Sequence, residues 1–249
     1  GRGGTVSQIT SPVGMAGVAN IGSDRNWTGT HFDQANWYAF GRLAWNPALS
    51  SEAIAREWAA QTFTRDPEAI RRITAMILGS RDVVAQYTAP LGLAHLMGTG
   101  HHYGPAPWVC DLARPEWNPC YYHRADKDGI GFDRTASGSN ALAQYAPGVA
   151  AQWADPATID EKYLLWFHRV RWDQRVKGGD TLWERLAAEY AWAEIGLRAR
   201  MQGWEALRGH IDPERHAAMA ADMARELKDA RWWRDAAMAY WQSVNGLPL

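Results

Sequence analysis

The sequence predicts a mainly α-helical chain that opens on a single βα unit. Three observations support this. Two long segments, 182–207 and 219–244, place apolar residues at steps of three and four. Residues 14–43 pass from a small-residue apolar stretch through a polar loop into a helical pattern. Between these, His101 to Tyr145 follows neither a helical nor a strand period for about 45 residues, and ordered loops of that length usually carry function.

Gly14–Gly22 reads as a parallel strand buried on both faces. Ser23–Gly29 is polar loop. His31–Leu43 then carries Phe32, Ala35, Ala39, Phe40 and Leu43 on one face and Trp37 and Tyr38 on another, so the helix should pack on two sides. One βα unit cannot stand alone, and its neighbouring strands are expected upstream of Gly1. The loop-like opening Gly1-Arg2-Gly3-Gly4 and the lack of an initiating Met fit a piece cut from a longer chain. Ser50 or Ser51 can cap a helix through Phe63, with Ile54 and Trp58 inward. Asp66-Pro67-Glu68 opens the next, with cap and first-turn proline in place, running to about Tyr87 and stopping before Pro90. Ile159, Tyr163, Trp166 and Val170 outline a further helical face.

The two closing helices carry Leu182, Leu186, Tyr190, Ala193, Leu197, Met201, Trp204 and Leu207, then Met219, Met223, Leu227, Ala230, Trp233, Ala237, Trp241 and Val244. Gly209-His-Ile-Asp-Pro213 supplies a stop, a cap and a first-turn proline. The result is an antiparallel hairpin with arms of roughly 40 Å. Trp183, Trp192 and Trp232 lie off the stripe and call for a second covering surface, an adjacent domain or another subunit.

The 249 residues are 47% hydrophobic and 21% charged, the balance of a folded globule. A net charge of −1 argues against a nucleic-acid partner. No apolar run reaches the roughly 18 residues of a membrane span. Fifteen Trp against five Phe exceeds what core volume demands. Trp27, Trp108 and Trp117 sit in polar, irregular sequence, where a flat apolar face with one N–H donor suits a ligand that is apolar on its faces and wet at its rim, such as a sugar.

Cys110 and Cys120 could form a disulfide, bind metal or stay free, and two cysteines leave the compartment open. His101, His102, Cys110, Cys120, His123 and Asp126 include zinc-type ligands, but the cysteine spacing matches no compact zinc motif. Asp126-Lys-Asp128-Gly begins like a calcium loop and lacks its later acids, so a turn is expected. Ser137-Gly-Ser139 has no strand before it for a nucleophile elbow. Gly129-Ile-Gly131 lacks the setting of a dinucleotide fingerprint. A glycosidase needs two carboxyl groups flanking the scissile bond. Asp24, Asp111, Asp126 and Asp133 are available, but Asp24-Arg25 and Asp133-Arg134 read more readily as structural pairs. What the residues suggest instead is a polar-aromatic pocket wall. Arg25, Asn26 and Trp27 follow the strand, and Tyr122-His123-Arg124 adds donors and a guanidinium fork suited to a carboxylate.

Gly17-Val-Ala-Asn-Ile-Gly-Ser-Asp-Arg-Asn-Trp-Thr-Gly29, Gln34-Ala-Asn-Trp-Tyr-Ala-Phe-Gly-Arg-Leu-Ala-Trp-Asn-Pro47, Pro90-Leu-Gly-Leu93, Gly100-His-His-Tyr-Gly-Pro105 and Tyr122-His-Arg-Ala-Asp126 together resemble the C-terminal part of the family 67 glycoside hydrolases, over essentially the whole chain. These are α-glucuronidases acting on xylan fragments. The resemblance implies that residues 1–49 are the last βα unit of a (β/α)8 TIM barrel. It implies that 50–249 form an α-helical C-terminal domain, with a substrate-facing loop at 98–148 and part of a homodimer interface. The implied reaction is hydrolysis, with inversion, of the α-1,2 bond between 4-O-methylglucuronic acid and xylose. The family's acid and base carboxylates fall upstream of Gly1, so no catalytic residue is expected here, and no cofactor or metal is implied. One tryptophan of this part lines the sugar pocket, and Trp108, next to the His-His-Tyr-Gly-Pro motif, is favoured over Trp117.

The expected substrate-binding residues are thus Arg25, Asn26, Trp27, His101, His102, Tyr103, Trp108, Tyr122, His123 and Arg124. The expected partners are glucuronoxylan-derived oligosaccharides, the upstream barrel domain and a second copy of the chain. The competing expectations are a stand-alone carbohydrate-binding or dimerisation module and, more remotely, a helical metalloenzyme.

Overall fold

The fold is that of a computed structural model describing residues 16–18, 26–100 and 102–248. The strand expected over Gly14–Gly22 lies outside the described residues, apart from Ala16–Val18, which form neither helix nor strand. The described chain is mainly helical and divides into two compact units, one of residues up to 81 with 197–226 and one of 82–196 with 227 onward.

In the first unit, α1 (His31–Trp45) begins where the Thr30 hydroxyl accepts from the Asp33 N–H at 3.1 Å. Ser50, rather than Ser51, caps α2 (Ser51–Thr62) by accepting from the Ala53 N–H. Asp66 caps α3 (Pro67–Leu78) at 2.7 Å from the Ala69 N–H, with Pro67 in the first turn. Each cap takes up an amide that the helix cannot satisfy itself. Arg42 grips Glu57 with two hydrogen bonds of 2.7 and 3.1 Å, tying α1 to α2.

The predicted single helix to Tyr87 is instead two. α3 ends at Leu78, and α4 (Ser80–Thr88) starts after Gly79. The Ser80 hydroxyl donates to the Ile77 carbonyl, which relieves a helix-end acceptor and favours the break.

Two long helices close the described chain, α8 (Leu182–Glu205) and α9 (Pro213–Asn245). In the first unit, Ile54 and Trp58 turn inward as expected. Phe63 meets Trp58 and Trp204 edge-on at 5.2 and 5.3 Å. Trp204 and His216 clasp the helical turn reciprocally. The indole N–H donates to the His216 carbonyl at 3.0 Å, and His216 Nε2 donates to the Trp204 carbonyl at 3.1 Å. Asp212 caps α9 through the Arg215 N–H, and Gly209 adopts φ 89°, so stop, cap and proline all lie where the sequence puts them.

In the second unit the long loop is stitched by its own backbone. Leu96 and Ala106 pair at 2.7 Å, and the Gly98 N–H donates to the Gly104 carbonyl at 3.1 Å. A one-turn helix, α5 (Pro119–His123), leads to the strand β1 (Gly129–Ile130). Then come α6 (Pro147–Trp153), α7 (Leu164–Phe167) and β2 (Val170–Arg171), which pairs antiparallel with β1. The helical face expected over 159–170 is therefore broken. Ile159 and Val170 are buried, but Val170 is buried from a strand. The Phe132 and Arg134 N–H groups donate to the Leu165 and Phe167 carbonyls, so this segment serves the loop rather than a continuing helix.

Leu182, Leu186, Tyr190 and Trp241 form the centre of this unit, each no more than 1% exposed. In both units α8 and α9 run in opposite senses. Arg200 faces Glu226 in one, and Glu194 takes Arg231 and Arg234 in the other. Trp183, expected to need an external cover, is covered by its own chain. It is 7% exposed, donates to the Pro248 carbonyl at 2.7 Å and meets Trp172 edge-on. Trp192 and Trp232 do remain exposed, at 40% and 43%.

Candidate sugar-facing site

A groove of about 400 Å³ opens in the second unit. Its wall is made by Tyr103, Trp108, Val109, Leu112 and Trp232, with Thr99 and the glycines 98 and 100 at its lip. Local sequence explains the shape. Gly104 adopts φ 71°, and the Trp232 ring lies where a Cβ at Gly104 would be. Only glycine leaves room for that indole. Tyr103 then packs on Trp232 at 5.7 Å, and its hydroxyl donates to Asp229 at 3.3 Å. Trp108 rests edge-on against Tyr240 at 6.4 Å and leaves 49% of itself exposed. The described lining contains no carboxylate. Such a wall stacks against flat apolar faces and has a polar lip for hydroxyls.

The other expected site residues are placed as follows. Arg25 and His101 lie outside the described residues, as does Asp24. His102 is exposed beside the groove, with φ 55° and its N–H donating to the Gly98 carbonyl at 2.7 Å. Asn26 and Trp27 belong to the other unit. The Asn26 amide oxygen accepts from Gln34 and Thr28, and Trp27 leans on Trp37 at 5.5 Å. Trp117 is held under Arg114, whose guanidinium is 5.1 Å from its ring, and does not line the groove.

His123 points inward and is 1% exposed. Its Nε2 donates to the Pro107 carbonyl at 2.8 Å, and its Nδ1 accepts the Ala125 N–H at 2.9 Å. One donor and one acceptor fix the neutral ring, and burial pushes its pKa down to about 4. The ring therefore locks the loop and offers no polar atom outward. Tyr122 stacks on Trp166 at 6.1 Å and donates to the Glu116 carbonyl at 2.9 Å. Arg124 is exposed in a left-handed conformation, with its guanidinium carbon 3.3 Å from the Phe132 ring centre.

Of the carboxylates considered for acid–base work, Asp126 and Asp133 are occupied, and Asp111 is exposed. Asp126 accepts from the Asp128 and Gly129 amides and pairs with Arg169 at 2.7 Å. Asp133 holds Thr135 and Ser137, and Arg134 turns instead to the Trp166 carbonyl. Cys110 and Cys120 form a disulfide, so neither is a metal ligand. Among the described residues no group of three or more His, Cys, Asp or Glu side chains is arranged to hold a metal ion. The sequence marked Trp232 only as an indole off its stripe, and it missed Leu112 and Val109, whose role depends on contacts distant along the chain.

The second unit thus carries a partly exposed aromatic groove with no carboxylate among its described lining residues. Residues 28–249 match the family model described as "Glycosyl hydrolase family 67 C-terminus", and the chain belongs to that family. It is 35% identical over 238 residues to the "Alpha-glucuronidase A" of Aspergillus tubingensis and to the "Probable alpha-glucuronidase A" of Aspergillus niger. It is 33% identical over 241 residues to the "Alpha-glucuronidase A" of Emericella nidulans. Each match covers 94% of this chain and 28% of the relative, so the chain spans little more than a quarter of the length of these relatives.

Proposed function

We propose that this chain is the C-terminal part of a xylan α-1,2-glucuronidase. The parent would be an inverting glycoside hydrolase that releases (4-O-methyl)glucuronic acid from xylo-oligosaccharides. The reading rests chiefly on the groove, where Trp108, Trp232 and Tyr103 present aromatic faces and no carboxylate is found among the described lining residues. A wall of that kind binds and orients a pyranose and excludes water, while a separate acid and base break the bond. In this proposal residues 1–49 complete a TIM barrel, whose upstream segments hold the catalytic carboxylates. Residues 50–249 form the helical domain, the loop 98–148 faces substrate, and the assembly is a homodimer. Within the second unit, His102, Tyr103, Trp108, Tyr122 and Arg124 contribute to substrate binding, with His123 positioning the loop from behind.

The test is release of uronic acid from aldouronic oligosaccharides, assayed with the 249-residue chain and with the longer parent. Only the parent should turn over. Turnover by the chain alone would overturn the placement of the acids. Calorimetry with glucuronoxylan fragments separates the stand-alone binding module, which would hold them tightly without the rest of the parent.

A further inference from the structure

Asp229 spends its charge on a phenol. Its neighbours on α9, Arg231 and Arg234, both pair with Glu194 on α8. Among the described residues no lysine or arginine pairs with Asp229. Its two side-chain hydrogen bonds both come from the Tyr103 hydroxyl, which stands 3.3 Å from each carboxylate oxygen. A charged acceptor makes such a bond stronger than a neutral one would. Trp232 lies three residues further along α9 and so on the same helix face. Its ring packs on Tyr103 at 5.7 Å and fills the space beside Gly104. The helix therefore docks two consecutive loop residues at two points, one polar and one aromatic.

The chain on either side of this dock is unequal. Before it stand Gly98, Gly100 and the exposed His102, itself in a left-handed conformation. After it, Pro105 and Pro107 fix φ on the way to Trp108. That stretch is tied by the Ala106 N–H to the Leu96 carbonyl at 2.7 Å and by the Pro107 carbonyl to His123 at 2.8 Å. The Tyr103 ring thus sits where the chain changes from yielding to stiff, and it is 57% exposed. A ring so placed swings unless something holds its far end. Ordering one swinging side chain when a ligand arrives costs about fivefold in affinity. Asp229 is half-buried on a long helix and does not itself line the groove. It is placed to hold the phenol without touching what the groove binds.

We propose that Asp229 is a positioning residue of the groove. It holds the Tyr103 ring in the wall before a sugar arrives, and it acts on binding through the Tyr103 hydroxyl alone. The proposal rests on the reading of the groove as a sugar site.

The experiment compares Asp229→Leu, Asp229→Asn and Tyr103→Phe, and the Asp229→Leu/Tyr103→Phe pair, in the longer parent with one aldouronic oligosaccharide. Lost preorganisation burdens the bound substrate and the transition state alike, so it raises KM and spares kcat. A partly unfolded enzyme instead loses kcat at unchanged KM. Asp229→Leu should raise KM about fivefold with kcat within about twofold. Asp229→Asn keeps an acceptor oxygen and should restore KM to within about twofold. In the Tyr103→Phe background Asp229→Leu should change nothing further, because both remove the same contact. An unchanged KM, a fall confined to kcat, or a full fivefold effect of Asp229→Leu in the Tyr103→Phe background would each overturn the positioning role. Hydrogen exchange of the peptide 96–106 in the ligand-free parent reads the same tether without turnover. It should quicken about fivefold or more in Asp229→Leu and not in Asp229→Asn. That result in a parent that releases no uronic acid would remove the hydrolase reading and leave the positioning role standing. Unchanged exchange in an active parent would do the reverse.

Discussion

Trp108 stands half out of the protein with Tyr240 behind it, so its removal should cost binding rather than fold. Trp108→Ala in the parent is expected to lower kcat/KM by more than tenfold, about 1.4 kcal/mol, with little change in melting temperature. Unchanged kinetics would mean that the indole faces away from substrate. His123 behaves in the opposite way. The unfolded chain protonates this ring near pH 6.5 and the folded chain only near about 4. Between these values the unfolded state binds more protons, so stability is full above about pH 6.5 and drains away as pH falls toward 4. The loss is on the order of 3 kcal/mol. Urea midpoints across that window should be flatter for His123→Gln than for the unaltered chain, and parallel curves would assign the titration to other groups.

At the scale of elements, caps and stops carry predictions of their own. Asp66→Ala should destabilise the chain by about 1 kcal/mol in chemical denaturation, because it leaves the Ala69 amide of α3 without its acceptor. A neutral effect would show that water replaces the cap without cost. These features were legible in the sequence because they are local. Ser50, Asp66-Pro67 and Gly209 through Pro213 act within a turn of where they stand, and Ile54 and Trp58 follow from spacing alone. Val170 was not legible, since a short apolar run suits a helix and a strand equally until a partner such as Ile130 is known. The groove was half legible. Tyr103 and Trp108 could be picked from the loop, but Trp232 reaches Gly104 across more than a hundred residues of chain. The burial of His123 was hidden by its polar neighbours Arg124 and Asp126, which do reach the surface.

At the scale of the whole molecule, the aromatic surplus serves several purposes. Trp204 and Trp241 fill cores, Trp108 and Trp232 line the groove, and Trp192 remains exposed three residues from Ile195, itself 62% exposed. Residues so spaced share one helix face, and an exposed apolar face of that kind suits an interface. In the homodimer proposed above, Ile195→Glu is expected to convert the parent to monomers by light scattering. A persistent dimer would place the contact elsewhere. The bond between Cys110 and Cys120 closes a small covalent ring around Leu112 and Trp117, and Asn118 braces it from inside by holding Leu112 and Arg114. Leu112 is also a wall of the groove. Production in a thiol-rich host, or dithiothreitol in the storage buffer, should therefore loosen that wall and weaken oligosaccharide capture while the long helices keep their circular dichroism.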